Sequence, residues 1–143
     1  MIQETTITIG GQNVCLRYCA AAETGFERLT GKKIDIFSWT PVEFDVDGKP
    51  TKYDPPTAIM EDYQMLALAA VVAAYARIKK DAPIDTNYIL YEASPIEIID
   101  LVKAVTTLRA KWYEVPEVVK PDIKDTKGKK SKNAQPPTTS TKK

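Results

Sequence analysis

Thr57 to Lys80 reads TAIMEDYQMLALAAVVAAYARIKK and holds neither glycine nor proline. Alanine, leucine and methionine are strong helix formers, so this stretch predicts one long helix. Apolar side chains recur at Met60, Tyr63, Ala67, Val71, Ala74 and Ile78, three or four residues apart. From Met65 to Ala76 the run is apolar without a break, which predicts burial nearly all round. Its alanines let other elements approach closely. Such a helix has to sit at the centre of a fold. The apolar run is about a dozen residues, short of the ~20 that cross a bilayer, so no membrane partner is expected.

The chain ahead of this helix reads as sheet and short helix. Thr5 to Tyr18 predicts a β-hairpin: Ile7 and Ile9 alternate with threonines, Gly10-Gly11 supplies a tight turn, and Val14, Leu16 and Tyr18 alternate with Asn13, Cys15 and Arg17. Its apolar face should lie on the central helix. Cys19 to Thr30 predicts a short helix with Ala22, Phe26 and Leu29 on one face, weakened by Gly25 and stopped at Gly31. Ile34 to Phe37 returns the chain to the core. Trp39 to Tyr53 alternates again around Asp47-Gly48 and predicts a second hairpin, or a strand with an extended return. The central helix then starts after Asp54-Pro55-Pro56-Thr57, with Asp54 or Thr57 as its cap.

Beyond the central helix, Asp85 to Glu92 predicts one or two helical turns capped by Asp85. Ser94-Pro95-Ile96-Glu97 carries a capping box with proline in the first helical position. The helix it opens should run to about Tyr113, burying Ile98, Leu101, Val102, Val105, Leu108 and Trp112 and packing beside the central helix. After Pro116 the composition changes. From Lys124 to Lys143 only Ala134 is an apolar side chain, too little to offset the ordering entropy, so disorder is expected. The expected class is α+β: small antiparallel hairpins packed on a central Ala-rich helix and a second long helix. Residues 1–116 form one domain and residues 117–143 a basic, disordered tail.

Charge and chemistry narrow the function. Residues 117–143 hold eight lysines against Glu117, Asp122 and Asp125, a net +5, while residues 1–116 carry 12 basic and 16 acidic side chains, a net −4. An acidic body is a poor nucleic-acid surface, so polyanion binding falls to the tail. There, Lys127-Gly128-Lys129-Lys130-Ser131-Lys132 offers charge without arginine or an aromatic for stacking, and reads as a solubilising or tethering segment. The chain has no histidine, which removes the usual general base and the commonest metal ligand. Cys15 and Cys19 are the only cysteines; they lack the further ligands of a zinc site and read as free, at least half-buried thiols. Glu43, Asp45, Asp47, Gly48 and Asp54 partly match a calcium loop, but the alternating Val42, Phe44 and Val46 mark a hairpin instead. Glu61-Asp62 and Glu114 with Glu117 sit near helix ends and read as dipole-compensating or solvated carboxylates. The N-terminus lacks the basic and apolar regions of a signal peptide, so a cytosolic protein with no cofactor and no metal is expected.

The order of elements resembles the tail assembly chaperones of long-tailed bacteriophages and prophages. The likeness lies in the Thr5–Tyr18 sheet, the following segment YCAAAETGFERLTG from Tyr18 to Gly31, the Ala-rich central helix, the Ser94–Trp112 helix and the Lys-rich tail. The resemblance implies a non-enzymatic role in the host cytoplasm. Such proteins keep the tape-measure protein soluble and help recruit tail-tube protein. Many are also made in a longer form by ribosomal frameshifting, and Lys129-Lys130 suits an A-rich slippery run. A chaperone of this kind needs exposed apolar surface, which places partner binding at Trp39, Phe44 and Tyr53 and at Trp112 and Tyr113 on the last helix, although aromatics there equally suit a core. Self-association is a further expectation. Two other classes stay open: a structural head–tail or tail component forming a ring, and a basic-tailed nucleic-acid or host-interaction module.

Overall fold

Gly10 and Gly11 both take positive φ, 58° and 80°, as a two-residue hairpin turn requires. In the computed structural model, which describes residues 2–114, they join strand β1 (Gln3–Ile9) to strand β2 (Gln12–Tyr18). The register sets Ile9 opposite Gln12, Ile7 opposite Val14 and Thr5 opposite Leu16. Ile9, Val14, Leu16 and Tyr18 are buried on the inner face, while Glu4, Thr6 and Thr8 face outward.

Helix α1 (Ala20–Thr30) follows directly and buries Ala22 and Phe26. Leu29, expected on the same face, is exposed in the last turn. Gly31 ends the helix in the left-handed conformation at φ 74°, its N–H donating to the Glu27 carbonyl. A short 3-10 turn at Ile34–Phe37 then drops Phe37 into the core. Its ring meets Phe26 edge-on at 5.0 Å and Tyr63 at 4.9 Å.

Strands β3 (Thr40–Phe44) and β4 (Pro50–Asp54) form the second hairpin. Gly48 turns it at φ 82°, and the Asp45 carboxylate accepts the N–H groups of Asp47 at 2.8 Å and Lys49 at 2.9 Å. This is the hairpin reading of the acidic loop: Asp45 serves the turn.

Helix α2 (Met60–Ala76) is the central helix, shorter at both ends than the sequence predicts. The N–H groups of Thr57 and Ala58 donate to the Ile36 carbonyl, which keeps this stretch extended. Neither Asp54 nor Thr57 is the cap. Ile59 stands there, and Asp62 three residues on accepts the Ile59 N–H at 2.9 Å. At the far end Lys79 takes φ 59° and the Lys80 N–H reaches back to the Tyr75 carbonyl, closing the helix before the lysine pair. Met60 and Ile78, placed in the apolar stripe, therefore fall outside the enclosed part and are exposed. Met65 through Val71 are buried without exception, and only Val72 breaks the enclosure before Ala73 and Ala74.

A π-helical turn follows at Tyr88–Glu92; its cap position is Asn87, while the Asp85 carboxylate, two residues further back, accepts the Tyr88 N–H at 2.9 Å. Helix α3 (Pro95–Trp112) opens with the capping box foreseen at Ser94 and Glu97. It buries Leu101, Val105 and Leu108. The architecture is α+β: α2 packs against α1, β2 and α3, and α3 closes over β1 and β2. Residues 1–113 form one compact unit. The expected disordered tail, Glu117 and the Lys127–Lys132 run lie outside the described residues. Among those residues no helix is long and apolar enough to cross a membrane.

Candidate functional site

The second hairpin stands apart from the core. Every residue of β3 and β4 is exposed, and the hairpin packs chiefly on itself. It nevertheless carries large apolar side chains: Trp39 is 58% exposed, Phe44 57%, Tyr53 44% and Val46 99%. Apolar atoms are common on any surface, but three large aromatics each about half exposed along one short hairpin segment are not. A two-stranded hairpin has little stability of its own in water. Here β3 and β4 are joined at their base to the body, by the Ile36 carbonyl on the β4 side and by Ser38 on the β3 side, whose hydroxyl accepts from Arg109 at 3.0 Å.

Arg109 links this base to the end of α3. Its guanidinium lies 4.8 Å from the Tyr113 ring centre and 5.6 Å from that of Phe37. Tyr113 is 52% exposed, and its hydroxyl donates to Glu23 on α1. Tyr18 donates to the same carboxylate oxygen at 2.7 Å. Burial, reinforced by the Glu23 carboxylate, pushes the Tyr113 phenol up to about 12 and raises that of Tyr18 as well. Trp112 is half-buried and meets the Tyr18 ring at 6.2 Å, so it serves the margin of the core. Of the five aromatics picked out in the sequence, Trp39 follows Ser38 in the chain, and Tyr113 lies against the Arg109 guanidinium that bonds Ser38. Phe44 and Tyr53 belong to the projecting strands, and Trp112 packs inward. Arg109 itself was missed; a lone arginine on a helix gives no signal until the fold sets rings around it.

Two other polar clusters hold elements together. Asp62, 3% exposed, takes the Lys32 ammonium at 2.9 Å and the Ile59 N–H. Burial alone would raise its pKa, but the backbone donor and the lysine outweigh it and hold the carboxyl below its ordinary value. Glu97 accepts from Ser94 N–H at 3.0 Å, Tyr88 hydroxyl at 2.7 Å and Gly10 N–H at 2.8 Å. These donors, the Ser94 amide foremost, lower its pKa. The first hairpin turn is thereby tied to the start of α3. Cys15 and Cys19 are free and half-buried, and burial raises the Cys15 thiol. Among the described residues no group of three or more Cys, Asp or Glu side chains is placed to hold a metal ion. Comparison with protein-family models, curated proteins and solved structures gives no match to this chain.

Proposed function

We propose that this protein is a non-enzymatic tail assembly chaperone that holds the tape-measure protein in soluble form through its β3–β4 hairpin and assists tail-tube assembly. The observation that carries the reading is the hairpin itself. It exposes Trp39, Phe44 and Tyr53 and adds nothing to the core. Exposed aromatic side chains that the core does not use suit protein–protein contact, where aromatics dominate the binding energy. Holding a long, amphipathic client calls for apolar surface and no covalent chemistry.

The test is co-expression with the tape-measure protein encoded in the same gene cluster. Wild-type protein should raise the soluble fraction of the tape-measure protein and co-purify with it. The double variant Trp39→Ser, Phe44→Ser should lose both effects while keeping its own melting temperature. A tape-measure protein that stays insoluble beside the wild type overturns the reading.

A further inference from the structure

A two-stranded sheet has two outer edges, and here they differ. Because Ile9 and Gln12 flank a two-residue turn, they exchange both ladder hydrogen bonds, and so do Ile7 with Val14 and Thr5 with Leu16. The intervening residues point their backbone groups away from the hairpin. On β2 such an outward amide is occupied: the Cys15 N–H donates to the Tyr75 hydroxyl of α2 at 3.2 Å. On β1 the outward N–H groups belong to Glu4, Thr6 and Thr8, and none of them donates to a partner among the described residues.

Sheet edges are commonly protected by proline, lysine or a bulge. The second hairpin has all three, with Pro41 and Pro50 in its strands, Lys52 on β4 and register shifts between Pro41 and Phe44. Strand β1 reads QETTITI and has none of them; it pairs with β2 in unbroken register. It is a regular, β-branched edge whose outward donors and acceptors have no partner among the described residues.

We infer that β1 pairs antiparallel with β1 of a second copy of this chain, giving a continuous four-stranded sheet across a two-fold axis at Thr6. Full overlap of Gln3–Ile9 with itself places Thr6 opposite Thr6 and Glu4 opposite Thr8. The same three residues whose amides point outward then form about six new ladder hydrogen bonds. Glu4 is the strand's only charged side chain, and this register sets it opposite Thr8. No like charges face each other, and Glu4 is already neutralised within its own chain by Arg17 at 2.9 Å and Arg77 at 3.9 Å. Threonine pairs opposite each other are favourable on a sheet.

The experiment uses the full chain. Sedimentation equilibrium across a concentration series reads the association. Amide hydrogen exchange, followed by NMR, reads where it occurs. The expected result is a monomer–dimer equilibrium in which the Glu4, Thr6 and Thr8 amides become protected as concentration rises, while the Thr5 and Ile7 amides are protected throughout. Both Thr6 and Thr8 are exposed, so lysine at either position leaves the fold intact, checked by an unchanged melting temperature. Thr6→Lys sets two lysines opposite each other and should weaken the dimer roughly fivefold. Thr8→Lys sets lysine opposite Glu4 of the other copy, whose carboxylate already holds Arg17, and should weaken the dimer less than Thr6→Lys does. A chain that stays monomeric at every concentration overturns the inference. So does a dimer whose Glu4, Thr6 and Thr8 amides still exchange freely, or one that Thr6→Lys leaves unchanged.

Discussion

At Gly25 the bare backbone of α1 faces Ala69 of α2, and a β-carbon there would lie 3.5 Å from the alanine methyl. That is ordinary van der Waals contact, so one methyl fits. Gly25→Ala should stabilise the protein by ~0.5–1 kcal/mol, read as a higher melting temperature, because it removes a glycine from a helix interior. Gly25→Val crowds the same gap and should lower the melting temperature. Asp62 governs a different response. Its folded pKa lies below the ordinary value of 3.8, so its stabilising contribution is complete well above that pH and is lost as pH falls through the depressed value. Asp62→Asn should therefore lower stability at neutral pH and flatten the acid limb of a stability-against-pH curve. Tyr113 acts at the opposite end. Its phenol titrates at about 12 rather than 10.0, so its contribution is intact below pH 10 and disappears as pH rises towards 12. Tyr113→Phe should remove one late-titrating phenol from the alkaline absorbance curve.

Among the elements, the two hairpins divide the labour. The first seals the core; the second adds nothing to it. Phe44→Ser or Val46→Ser should consequently change stability by no more than about 0.5 kcal/mol in a denaturant melt. Glu97→Ala should act on the first hairpin from a distance, speeding hydrogen exchange at the Gly10 and Ser94 amides that it now accepts. The capping box at Ser94, the glycine turns and the apolar centre of α2 were legible in the sequence because each is a local signal. The start of α2 was not. Its cap residue is an isoleucine, and the side chain that satisfies it comes from Asp62, while the preceding amides are claimed by Ile36 through a tertiary contact. The end of α2 escaped for a related reason: a lysine, not a glycine, takes the left-handed turn.

On the scale of the whole molecule, an acidic body and a basic tail share one chain. If the chaperone proposal holds, an N-terminally tagged protein made from its native locus should yield a minor, longer product. Its peptides should leave the present reading frame between Lys127 and Lys143, as immunoblotting and mass spectrometry would show. A single band would bring the chaperone reading level with that of a ring-forming structural component, and sedimentation would then decide between them. The aromatics chosen from the sequence were only partly separable into core and surface. Trp39 and Trp112 both follow alternating or periodic apolar patterns, and only the packing of α3 on Tyr18 tells them apart.

That difference gives the molecule a built-in optical gauge. The chain has two tryptophans, one largely in water at the hairpin base and one held against a tyrosine ring. Their emission should separate into a red, iodide-quenchable part and a bluer, shielded part. A client settling on the hairpin would shift and shield the first and leave the second as an internal reference. Binding at this surface can thus be followed by intrinsic fluorescence, with no label added.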